Sequence, residues 1–139
     1  MAKFKTKFDS LVKLKKVKID EVENELSKIN QSIFKVKEEL EKLKKEFSEF
    51  HYPTSGNFSI LQQFKILQQA LLNQITKKQT DINLLENQQN SIMQKLKEVN
   101  LEYEKYKYLQ GEEIKKEIKR IKQKEIKDMD EIALMLYKG

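Results

Sequence analysis

Of the side chains that ordinarily carry chemistry, this sequence holds one histidine, His51, and no cysteine. Without a thiolate there is neither a disulfide nor a cysteine-ligated zinc. The 22 carboxylates are spread among lysines at helical spacing. Glu38 and Glu41 stand four residues before Lys42 and Lys45, an order that supports a helix surface. A carboxylate pair acts as acid and base only inside a pocket that shapes its pKa values, and surface pairs have none. The three glycines, at 56, 111 and 139, are too scattered to cradle a phosphate. His51 is expected in an exposed loop. No catalytic, cofactor-binding or metal-ligating residue is expected, so the chain reads as a non-enzyme.

What remains is charge and apolar surface, and both are unevenly placed. The net charge is +6. Residues 1–18 carry seven lysines, Lys3, Lys5 and Lys7 among them, against Asp9 alone. Residues 115–127 carry seven basic side chains, including Lys116, Lys119, Arg120 and Lys122, against Glu117 and Glu125. Between them, residues 54–92 are poor in charge and rich in Gln and Asn. Dense cation could attract phosphate or an anionic membrane surface. Yet Arg120 is the only arginine, which leaves little means of reading guanine, and no aromatic interrupts 115–127 to stack a base. Nucleic acid is therefore not expected as a partner. Phe47, Phe50, Tyr52, Phe58 and Phe64 gather elsewhere; Phe47, Phe50 and Phe64 fall on an apolar stripe, Tyr52 and Phe58 off it, and the cluster serves either to pack the tip or to dock a partner.

These groups need elements to hold them. Pro53 and Gly56 mark the one break. Proline removes a backbone donor and disfavours helix at its predecessor, so a first helix should end near Tyr52. Asn57 or Ser59 can cap the next. Stepping alternately three and four residues from Phe8 to Phe50 visits thirteen positions, twelve of them Phe, Val, Ile or Leu, with Lys15 the exception. The same walk from Leu61 to Tyr106 visits fourteen, eleven apolar or Tyr, with Gln68, Lys78 and Gln89 as exceptions. A 3.5-residue repeat this long is a coiled-coil seam. A short connection makes the two stripes each other's nearest partner.

The expected fold is all-α: one domain over 1–139, a two-helix antiparallel coiled-coil hairpin with a long overhanging second helix. Helix one covers about 4–51, the turn 52–57 and helix two about 58–137. With the reversal centred near residue 54, residue i should face roughly 108 − i. Residues 107–137 would then overhang, roughly 45 Å of helix, carrying a looser stripe that includes Ile118, Ile121, Met129, Ile132 and Leu136. An apolar stripe without a partner in its own chain is available to another molecule. No run of 18 apolar residues is present to span a bilayer, and the opening MAKFKTKFDS lacks the apolar stretch of a signal peptide. A soluble cytoplasmic protein, monomeric on its own, is expected.

With this organisation in view, the sequence resembles the FliJ family, the small coiled-coil subunit of the flagellar type III export ATPase complex. The opening, Phe4-Lys5-Thr6-Lys7-Phe8-Asp9-Ser10-Leu11-Val12-Lys13-Leu14, is similar to the family's basic, aromatic start. The end, Glu125-Ile126-Lys127-Asp128-Met129-Asp130-Glu131-Ile132-Ala133, is similar to its Lys-rich, acidic finish. The resemblance implies a stalk-like protein, similar to the gamma subunit of rotary F-type ATPases, whose paired terminal helices enter a hexameric export ATPase. Its tip would contact the export-gate membrane protein, and export chaperones are further partners the family implies. Location would be cytoplasmic, peripheral to the inner membrane at the flagellar base. Lys3, Lys5, Lys7, Lys116, Lys119, Arg120 and Lys122, with Ile118, Ile121, Met129, Ile132 and Leu136, form the candidate ATPase-binding end. The five tip aromatics are the candidate gate contact, although Phe47-Ser48-Glu49-Phe50 stands where the family often carries Tyr and Gln. Two other readings fit a basic coiled coil: a holdase for unfolded clients, and a binder of nucleic acid or membrane surface.

Overall fold

A computed structural model describes residues 4–51, 53–54 and 56–138. They form two helices, α1 over Asp9–Ser48 and α2 over Phe58–Lys138, and no strand among the described residues. The chain falls into two compact units, Met1–Asp20 with Lys97–Gly139, and Glu21–Leu96. In each, α1 and α2 pair antiparallel, the fold class that the heptads imply.

The stripe governs burial. All thirteen positions of the first walk are buried or half-buried, and of the fourteen in the second only Leu61 is exposed. Ile19, Val22, Ile33, Leu40, Ile82 and Val99 form the buried core, with Val22 at 0% exposure. A two-helix seam is narrow, which is why most stripe residues remain half-covered.

The polar exceptions also face inward, and Lys15, Lys78 and Gln89 are each held by a partner on the other helix. In Glu21–Leu96, Lys78 Nζ reaches Glu39 Oε2 at 2.7 Å and Gln89 Nε2 donates to Asn30 Oδ1 at 2.6 Å. In the other unit, Lys15 pairs with Glu102. Lys37–Glu86 and Lys95–Glu25 add looser cross-helix ion pairs at 3.7 and 3.6 Å. A polar seam residue specifies register because a slipped alignment strands it without its partner.

These pairs correct the expected register. Lys15 with Glu102, Asn30 with Gln89 and Glu39 with Lys78 put residue i opposite roughly 118 − i, not 108 − i. The connection explains the difference. α1 stops at Ser48, where Ser48 Oγ donates to Lys45 O at 2.8 Å and Phe50 N to Phe47 O at 3.2 Å in a tightened last turn. Just past this turn, the Phe50 ring lies 5.8 Å from that of Phe64 on α2. The reversal is thus centred near residue 59, and the first turns of α2 extend past the end of α1 at Ser48. That is why Leu61 and its neighbours are exposed.

Both helix starts are capped by side chains. Gly56 sits at φ +149°, a region essentially closed to residues with a Cβ. It delivers Asn57, whose Oδ1 accepts from Ile60 N at 2.9 Å while its carbonyl accepts from Leu61 N at 3.2 Å. The start of α1 lies at Asp9 rather than near residue 4, for a reason the apolar pattern does not contain. Thr6 Oγ1 accepts from Phe8 N at 3.1 Å, and the Asp9 carboxylate accepts from Thr6 N at 3.2 Å. This is the reciprocal capping arrangement of a Thr-x-x-Asp sequence.

Candidate functional site

Two surfaces remain unpartnered, and each follows from where one helix outruns the other. The first lies in the unit formed by the two ends of the chain. Asp9 gathers three hydrogen bonds, from Thr6 N, from Thr6 Oγ1 at 2.6 Å and from Gln110 Nε2 at 2.8 Å. The bond from Gln110, then that from Thr6, holds the Asp9 carboxyl below the ordinary carboxylate range. The Phe8 ring lies 6.3 Å from that of Tyr106. The last contact is Lys7 with Glu113, Nζ to Oε1 at 3.5 Å and backbone N to Oε2 at 3.4 Å.

Beyond Glu113, α2 continues without a neighbour among the described residues. From Ile114 to Lys138 every residue is exposed except Glu117, which is half-buried. The overhang therefore begins at 114, seven residues later than expected, as the corrected register requires. Ile118, Ile121, Met129, Ile132 and Leu136 are 42% to 78% exposed. At ~100° per residue, these five and Ile114 fall within about 80° of the helix circumference. A stripe this coherent on an uncovered helix is a binding face in want of a partner.

The cations around it divide into two kinds. Lys116, Lys119 and Lys122 are exposed and project a dispersed positive field. Arg120 instead grips Glu117 on its own helix, Nη2 to Oε1 at 2.6 Å and Nε to Oε2 at 3.1 Å. That hydrogen-bonded pair lowers the Glu117 carboxyl and raises the guanidinium from their ordinary values. Lys5 is exposed and Lys7 is engaged with Glu113, so these N-terminal lysines stand beside the root of the overhang. Lys3 lies outside the described residues.

The second surface is the start of α2. Of the tip aromatics, Phe47, Phe50 and Phe64 are half-buried on the seam, while Phe58 points outward at 74% exposure. Tyr52 lies outside the described residues. Ile60, Ile66 and Leu67 join Phe58 as exposed apolar side chains. All four lie off the apolar stripe, and all precede roughly residue 70, which the register sets opposite the end of α1 at Ser48.

Among the described residues no group of three His, Cys, Asp or Glu side chains could hold a metal, and no helix is long and apolar enough to cross a membrane. Residues 4–139 match the family described as Flagellar FliJ protein. No curated protein and no solved structure matches the chain.

Proposed function

Because the chain belongs to the FliJ family, whose members are non-catalytic components associated with flagellar protein export, we propose that it works as a stalk-like coiled coil binding the hexameric flagellar export ATPase through its overhang and the export gate through its tip. The observation that carries this is the overhang: 25 residues of helix, apolar along one face, lysine-rich along its flanks, and uncovered. Insertion into an acidic pore would bury that face while the lysines steer it in, since charge sets the rate of encounter more than the final affinity. Export-gate contact falls to Phe58, Ile60, Ile66 and Leu67, the apolar side chains that the tip presents. The chain would then act in the cytoplasm, peripheral to the inner membrane at the flagellar base. It would hydrolyse nothing itself and would alter the rate or assembly of the ATPase.

The rival readings have less support. A holdase that takes clients between its helices needs an open seam, and here the seam residues are matched to one another, Lys15, Lys78 and Gln89 included. For nucleic acid, the one arginine is already committed to Glu117.

Association with the purified ATPase tests the proposal. Lys116→Gln, Lys119→Gln and Lys122→Gln together should slow association several-fold at low salt and flatten its salt dependence. The difference should vanish near molar salt, where the screening length is ~3 Å. A variant that associates as fast as the parent at every salt concentration would remove the overhang lysines from the interface.

A further inference from the structure

Gly111 lies in the interior of α2, where glycine is less favourable than alanine by roughly fivefold in helix weight. Interior helix glycines are usually explained by close packing, and here that explanation fails. A Cβ built at Gly111 would meet nothing within 4 Å. Nor does the backbone need a glycine, for Gly56 is the only described residue with positive φ.

Its position supplies the reason that packing does not. Gly111 follows Gln110, the last residue of α2 hydrogen-bonded into the Asp9 cap. Past it, among the described residues, Glu113 meets Lys7 through an ion pair at 3.5 Å, with the lysine 75% exposed, and a hydrogen bond from the Lys7 backbone N at 3.4 Å. Such pairs contribute little. On the far side stands a helix whose residues are almost all exposed, and most helical stability in proteins comes from tertiary packing. The weakest residue of the helix is thus placed where the firmly paired segment gives way to the free one.

We propose that Gly111 is a joint, at which the overhang of α2 bends away from the paired helices and takes the direction its partner requires. Sharp bends in helices concentrate at identifiable residues, glycine among them. The side of the glycine where a Cβ would stand is open, so the backbone can deform toward it, and the Lys7–Glu113 ion pair, with its lysine 75% exposed, yields as it does. The rest of the unit, anchored at Asp9, stays in place.

The absence of native cysteine makes this measurable. Spin labels at Glu104→Cys and Lys124→Cys, both exposed, would lie ~30 Å apart along a straight helix. The distance distribution of the parent should show that peak with a second population at shorter distance. Gly111→Ala, which introduces no clash, should reduce the shorter population roughly fivefold. Gln123→Ala, an exposed substitution in the overhang, should leave it in place. Three results would overturn the joint: a single narrow peak in the parent, equal breadth with and without Gly111→Ala, or equal narrowing by Gln123→Ala.

Discussion

Ile33 and Phe34 are consecutive in α1, yet Ile33 is 7% exposed and Phe34 65%, so one substitution made at each separates the seam from the surface. Ile33→Asp removes a buried aliphatic side chain, about 1.5–3 kcal/mol of apolar burial. It also brings an ionised carboxylate against Val, Leu and Ile with no cation assigned to it, which adds further cost. A two-helix seam lets that carboxylate turn partly outward, so a total of about 3–5 kcal/mol is the working figure. For a chain of this length about 1 kcal/mol corresponds to ~3–5 °C in Tm, which gives a fall of about 10–25 °C. Phe34→Asp disturbs only the surface and should shift Tm by less than about 3 °C. Thermal melts followed by far-ultraviolet circular dichroism at neutral pH measure both. Equal shifts at the two positions would refute the seam assignment and with it the register.

Asn57→Ala deletes the acceptor for Ile60 N and should cost about 1 kcal/mol, whereas Asn57→Asp keeps the cap; amide exchange over the first turn of α2 reads both. Acid should also weaken the pairing. Asp9 and Glu39, each lowered by hydrogen bonds across the helices, contribute stability that is complete above the ordinary carboxylate range of about 4 and lost as pH falls through their lowered values. Melting temperature should therefore hold between about pH 7 and 5 and drop below about 4, and a fall already complete at pH 5 would contradict this. Lys15 and Lys78, raised by Glu102 and Glu39, give the mirror effect: their contribution is complete below about 10 and fades as pH rises through the raised values. Ending the chain at Ile114 should leave the Tm of the remainder within about 3 °C, since it removes an exposed helix.

The seam was readable from spacing because burial in a coiled coil follows a strict period, and positions such as Val22, Ile33 and Val99 lie where the walk lands. The polar exceptions were readable as exceptions, but not their partners. Which carboxylate meets Lys78 depends on register, and register depends on how the connection is spent. The apolar pattern contains no record of α1 ending at Ser48 or of Phe50 meeting Phe64. That ten-residue offset also hid the exposure of Leu61, which lies on the stripe, whereas Ile60, Ile66 and Leu67 lie off it. The cap at Thr6 and Asp9 carried a local signal, Thr-x-x-Asp, which hydrophobic stepping passes over. The overhang was visible in the unequal helix lengths, though its root moved from 107 to 114.

If the uncovered end of α2 is the ATPase-binding element, that segment should decide whether the ATPase is bound. Co-purification of the flagellar export ATPase with the full chain and with a chain ending at Ile114, whose fold is first verified by its melting curve, tests it most directly. Recovery of the ATPase with the full chain and its loss with the shortened one is the result this account predicts. Equal recovery with both would contradict it and move the binding element to the paired helices or the tip.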